Sequence, residues 1–177
     1  MAMTLITTNT SSNGASSSFT SGIDSTYKLY IFKFYDVNPV TDAAAFSFQA
    51  NATDSTSYDE TMTTTLFNAH HYEADNSAAL AYVAAWDQAQ GTAFQILMGD
   101  LGNGGDESGA GELYLFNPSS TTFVKHFYAT CNKYSNSDAS IEDFISGYIN
   151  TTTAIDDIQF KMSSGNMDAV IKLYGVG

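Results

Sequence analysis

Residues 155–177 read IDDIQFKMSSGNMDAVIKLYGVG, and their patterning decides the fold class. In an extended chain Ile158, Phe160 and Met162 share one face, with Gln159 and Lys161 on the other. Ile171 and Leu173 face one way, with Lys172 and Tyr174 opposite. A period of two belongs to strands with one buried side. The linking SSGNMDA is rich in turn residues. The pair is therefore expected as a β-hairpin whose inner face completes a sandwich and ties down the end of the chain.

The same texture extends upstream. ELYLFNP, FVKHFYATCNKY and FISGYINT are short strand candidates, separated by NPSST and SNSDASIED. YKLYIFKFYDV, at 27–37, is apolar on both faces and suits a strand covered on both sides. AFSFQAN alternates about Phe46 and Phe48, and ETMTTTLFNAHHY reads as a strand with one wet face. Residues 76–98, NSAALAYVAAWDQAQGTAFQILM, stand apart. Leu80, Val83, Ala84, Asp87 and Gln90 follow helical spacing, Asn76 or Ser77 can cap the start, and Gly91 weakens the middle. Eight or nine strands and one helix predict a mainly β fold: a jelly-roll-like antiparallel β-sandwich with one helix.

Composition divides the chain at residue 26. Residues 1–26 are Ser/Thr-rich with isolated apolar residues Leu5, Ile6, Phe19 and Ile23. They are expected either as a disordered leader or as an extended arm that orders on a partner surface. Residues 27–177 are expected to form a single β-sandwich domain. The aromatic residues are 14% of the chain, almost all Tyr and Phe. That exceeds what one small core needs. The surplus on Tyr27, Tyr30, Phe32 and Phe34 is assigned to a contact between subunits, most simply of a homotrimer.

Charge excludes some classes of function. Nineteen acids stand against six bases, all of them Lys, for a net charge of −13. Such a chain is repelled by nucleic acid and by anionic membranes and lacks the Arg forks that read phosphate and base edges. No apolar run approaches the roughly 20 residues that cross a bilayer, and MAMTLITTNT has no basic start to serve as a signal peptide. Cys131 is alone, which precludes an intrachain disulfide and fits folding in a reducing cytoplasm.

Few residues suggest chemistry. Asp100, Asp106, Glu107 and Glu112 gather in and around the glycine-rich LGNGGDESGAGE and are the oxygen donors a hard cation would use, but the Asp/Asn spacing of calcium loops is missing. The GNGG run lacks the Lys of a phosphate loop. His70 and His71 are adjacent and would point to opposite faces of a strand, so only one could join Glu73 or Asp75 at a metal. No nucleophile elbow or paired-carboxylate motif is present. No enzymatic activity and no cofactor are expected.

GELYLFNPSSTTFVKHFYAT, at 111–130, and GYINTTTAIDDIQFKMSSGNMDAVIKLYGVG, at 147–177, resemble the C-terminal module of virion surface proteins of aquatic tailed bacteriophages. The likeness covers about residues 19–177 and is most specific in the last third. It implies a protein of the virion surface, synthesised in the host cytoplasm, and supplies no catalytic residues. Two roles follow. One is a capsid decoration, cement or head-fibre subunit that contacts other virion proteins such as the major capsid protein. The other is a tail-associated protein that binds a host surface glycan. The chain has no heptads or collagen-like repeats to build a long shaft, which favours the capsid.

Overall fold

Among the described residues every strand pairing is antiparallel, and the strands account for most of the chain. The computed structural model describes residues 2–177. In chain order the strands are β1 (Met3–Gly14), β2 (Ser17–Phe19), β3 (Leu29–Pro39), β4 (Ala44–Ala52), β5 (Met62–Tyr72), β6 (Ala78–Tyr82), β7 (Ala89–Gly91), β8 (Gln95–Leu101), β9 (Gly109–Phe116), β10 (Lys125–Ser135), β11 (Ala139–Ile149), β12 (Ile155–Met162) and β13 (Met167–Val176).

They form two layers that share one hydrogen-bonded network. The long layer runs β1-β13-β3-β9-β10-β11-β5, with β6 and β7 both on the far edge of β5. The short layer runs β2-β12-β4-β8. The two orders match strand for strand: β1 continues into β2, β13 comes from β12, β3 continues into β4, and β8 continues into β9. One four-stranded ribbon has been folded over on itself, and this makes the sandwich jelly-roll-like. The network nearly closes where Ser135 of β10 bridges Leu101 of β8.

The four crossings lie side by side and hold one another. Val40 N donates to Asn166 O at 2.9 Å. Asn38 Nδ2 donates to Glu107 O at 2.6 Å, and Asn166 Nδ2 donates to Asn13 O at 2.9 Å. Turning so sharply needs left-handed backbone, supplied by Asn13 (φ 52°), Ala43 (φ 58°) and Gly165 (φ 69°).

The core lies between the layers. Phe160 of β12 is ringed by Phe19, Phe32, Phe34, Phe46 and Phe48, with centroids 5.2–6.3 Å away. Ile158, Met162, Ile171 and Leu173 are buried with it, as the alternation at 155–177 requires.

Four expectations change. The last two strands are not a hairpin: β12 pairs with β4 and β2, and β13 with β3 and β1. SSGNMDA crosses between layers, because two strands with apolar inner faces can bury them against each other as well as side by side. Residues 76–98 are not a helix. They form β6, a 3₁₀ turn at Ala84–Trp86, β7 and most of β8. Edge pairing to β5 and a partly buried place for Trp86 against the core outweigh the helical propensity of the alanines.

The division at residue 26 separates no arm from a domain. β1 pairs along the whole of β13, and Ser17 and Phe19 are buried on β12. Thr and Ser in extended backbone gain here the ladder hydrogen bonds that a disordered leader would forgo. Finally, Tyr30, Phe32 and Phe34 are fully buried within one chain, and Tyr27 packs edge-on against Tyr30 at 5.8 Å. Two facing layers consume the aromatic surplus that had been assigned to a subunit contact.

Candidate functional site

The sequence-predicted cation donors do not converge. Asp100, near the end of β8, and Asp106, on the β8–β9 crossing, are both exposed. The Glu107 carboxylate turns back to accept the Gly104 N–H at 2.5 Å. Glu112 lies on the outer face of β9, 3.0 Å from Lys33 Nζ, and accepts the Tyr114 hydroxyl at 2.8 Å. Among the described residues no group of three metal-ligating side chains forms. Cys131 is buried, and burial pushes its thiol well above the usual range, as suits a small core residue.

Strand alternation separates the two histidines. His70 points inward, edge-on to Tyr72 at 5.5 Å, while exposed His71 sits 3.0 Å from Asp75. His71 belongs to an open groove of about 450 Å³ at one end of the long layer. The end of β5, the β5–β6 turn and the facing ends of β10 and β11 supply His71, Tyr72, Glu73, Asp75, Asn132, Tyr134 and Ser140. Some of its polar groups are already paired. Asn132 Nδ2 donates to Ser140 Oγ at 3.2 Å, and a hydrogen bond to Glu73 pushes the Tyr134 hydroxyl up to about 12. Two tyrosines beside an amide, a hydroxyl and two carboxylates suit a neutral, hydroxyl-rich ligand. The carboxylates repel anions.

Behind this groove lies a cluster that the sequence reading missed. Lys133 of β10 and Asp143 of β11 are both fully buried and form an ion pair. Asn68 Nδ2 of β5 donates to the other Asp143 oxygen at 3.4 Å, and the Trp86 ring lies 5.2 Å from Lys133 Nζ. Burial pushes the Asp143 carboxyl above its ordinary value, against the pull of Lys133. At the other end of β10, buried Lys125 donates to Thr151 O at 3.0 Å. The signal was present in KHFYATCNKYS: Lys125, Phe127, Ala129, Cys131 and Lys133 alternate onto one face. Two lysines thus lie on an apolar face.

Trp86 is held by a polar seam. Thr64 Oγ1 donates to Gln95 Oε1 at 2.7 Å, Gln95 Nε2 donates to Trp86 O at 3.1 Å, and Thr64 N donates to Gln88 O at 2.9 Å. The indole lies flush on Gly99 of β8, where any side chain would collide with it. It fills the opening between the far edge of the long layer and β8.

The outer face of the long layer is unusually aromatic. Tyr114 and Tyr128 stack at 4.6 Å, Phe116 lies 5.7 Å from Tyr128, and Phe67 and Phe144 stack at 4.9 Å. Between the two stacks runs a shallow groove of about 180 Å³ floored by Thr130 and Ser146. Phe67, Phe116 and Tyr128 are exposed there. No protein-family model, curated protein or solved structure matches this chain.

Proposed function

We propose that the protein is a structural subunit of a bacteriophage virion, displayed on the outer surface as a capsid decoration, cement or head-fibre subunit. It acts by contact and not by turnover, associates with itself as a homotrimer, and binds other virion proteins such as the major capsid protein. The observation that carries this reading is the aromatic outer face of the long layer. A free-standing sheet normally turns polar residues to water, whereas this face carries two aromatic clusters, Phe116 with Tyr128 and Phe67 with Phe144, on either side of the groove floored by Thr130 and Ser146. The sequence runs that resemble phage virion proteins support it. They fall on β9, β10, β12 and β13, the central strands of the sandwich, so the likeness spans a fold and not a loop.

A second reading, recognition of a host glycan from the tail, is favoured by the groove at Tyr72, Asn132, Tyr134 and Ser140. Quantitative mass spectrometry of purified virions tests both. Copies on the order of hundreds per particle are expected for a capsid protein. Tens or fewer would favour the tail, and absence from the particle would refute a virion role.

A further inference from the structure

The long layer has two free edges, and neither strand carries charge or Pro, although β1 bulges at Leu5/Thr7 and Ser11/Gly14 and β6 has only five residues. Natural edge strands carry charge, Pro or strong interruption, because their unpaired N–H and C=O groups otherwise recruit another strand. β1, at one edge, pairs only with β13 among the described residues. No charged residue occurs before Asp24, although the chain carries 25 charged side chains. β6, at the opposite edge, pairs only with β5 among the described residues. Residues 76–86 around it are also uncharged.

The edges are complementary in three respects. The first is direction. From β1 through β13, β3, β9, β10, β11 and β5 to β6 every step is antiparallel, so β1 and β6 run in opposite directions. A neighbour in the same orientation would therefore add its β1 antiparallel to β6 and continue the sheet. The second is apolar pairing. Met3 and Leu5 lie opposite Val176 and Tyr174, on the outer face, with exposures of 48% and 51%. Leu80 and Tyr82 lie opposite Ala69 and Phe67, on the same face, with exposures of 71% and 63%. Each edge thus offers two apolar side chains at alternate positions, the spacing of cross-strand pairs.

The third is charge. Lys172 lies on β13 beside β1, where Lys33 is already paired with Glu112 and Asp168 accepts the Asn13 N–H, whereas residues 34–124 contain no lysine and hold Glu73, Asp75 and Asp87 beside β6. A register with Met3 against Tyr82 and Leu5 against Leu80 carries Thr8 to the β5–β6 turn. It carries with it Lys172, the partner of Thr8 on β13, towards Glu73 and Asp75.

We propose that copies of this protein associate head to tail by strand addition, β1 of one copy pairing with β6 of the next. The occupant of each edge is the opposite edge of a second copy. This deepens the self-association proposed above. A heterologous contact of this kind closes into a ring when the rotation permits, and a ring of three satisfies every edge.

The test is analytical ultracentrifugation of the purified chain at about 100 µM, a range that detects the micromolar association expected of one short strand pair. Leu5→Lys guards one edge and Leu80→Lys the other, and both side chains are exposed, so the fold is retained. Each variant alone should weaken association roughly tenfold or more. An equimolar mixture of the two should form a dimer and nothing larger, since one intact β1 edge meets one intact β6 edge. The doubly substituted chain should be monomeric. Leu5→Asn and Leu80→Asn, which add no charge, should act in the same direction.

Wild-type protein that stays monomeric overturns the proposal. So does a Leu80→Lys variant that associates as well as wild type, which would indicate β1 meeting β1. A protein abundant in virions whose association is untouched by either substitution would retain the virion role and lose the edge pairing.

Discussion

Phe160→Ala tests whether the ring cluster between the layers is the main source of stability. The side chain is fully buried, with five other phenylalanine rings within 6.3 Å of its centroid. Truncating a buried Phe costs about 3–5 kcal/mol, from lost transfer free energy and from the cavity left behind. The neighbours here are rings held by rigid strands on both layers. They cannot collapse into the space, so the cost belongs near the upper end, about 4–5 kcal/mol. For a domain of this size each kcal/mol moves Tm by about 2–4 °C, so Tm should fall by about 8–20 °C. Differential scanning calorimetry measures it directly. Phe123→Ala is the control: that side chain is 68% exposed, and its loss should change stability by less than about 0.5 kcal/mol. A Phe160→Ala variant with a Tm within about 4 °C of wild type would mean that the layers are not held together at this cluster.

Asp143→Ala leaves the Lys133 ammonium buried without its partner and should cost about 3–5 kcal/mol in urea unfolding, whereas Lys133→Met combined with Asp143→Leu should recover most of that loss. A double substitution as damaging as the single one would show that the pair itself is stabilising. Burial holds the Glu60 carboxyl above its ordinary value, although its Oε1 accepts the Ala52 N–H at 3.1 Å. With the folded-state pKa raised, this contribution is complete below the ordinary carboxylate range and is lost as pH rises through the raised value. Stability should therefore decline from that range towards neutrality, and Glu60→Gln should flatten part of the decline. Parallel curves of urea midpoint against pH for the two proteins would refute the assignment.

The class of fold was legible because period-two patterning is local. Ile158, Phe160 and Met162 alternate whatever they pair with, and they are buried. Which strand each one meets is not local. A turn such as SSGNMDA has the same composition whether it reverses within a sheet or crosses between sheets, so the hairpin expectation had nothing to correct it. At 76–98 the alanines carried a helical spacing that tertiary pairing overrode. The better signal lay at its end, where Gln95, Leu97, Gly99 and Leu101 alternate onto the buried face of β8. The site fared worse. The groove depends on the β5–β6 turn meeting the ends of β10 and β11, some 60 residues later in the chain, and no spacing rule reaches that far. Tyr30, Phe32 and Phe34 were rightly read as buried, but in the chain's own core.

The doubled ribbon also imposes an order of events on folding. β1 pairs with β13, and β2 with β12, so residues 3–19 have no strand partner until residues 155–176 have emerged from the ribosome. At synthesis rates of about 5–20 residues per second, the opening segment waits roughly 7–30 s. β3 and β4 lack β13 and β12 for nearly as long. The aromatic strands at 29–39 and 44–52 must stay soluble through that interval without the layer that will cover them. The Ser/Thr-rich segment at 3–19 is suited to such a delay through its few apolar side chains, which limit aggregation before the last strands arrive to place it, while its lack of charge leaves its edge open to another strand.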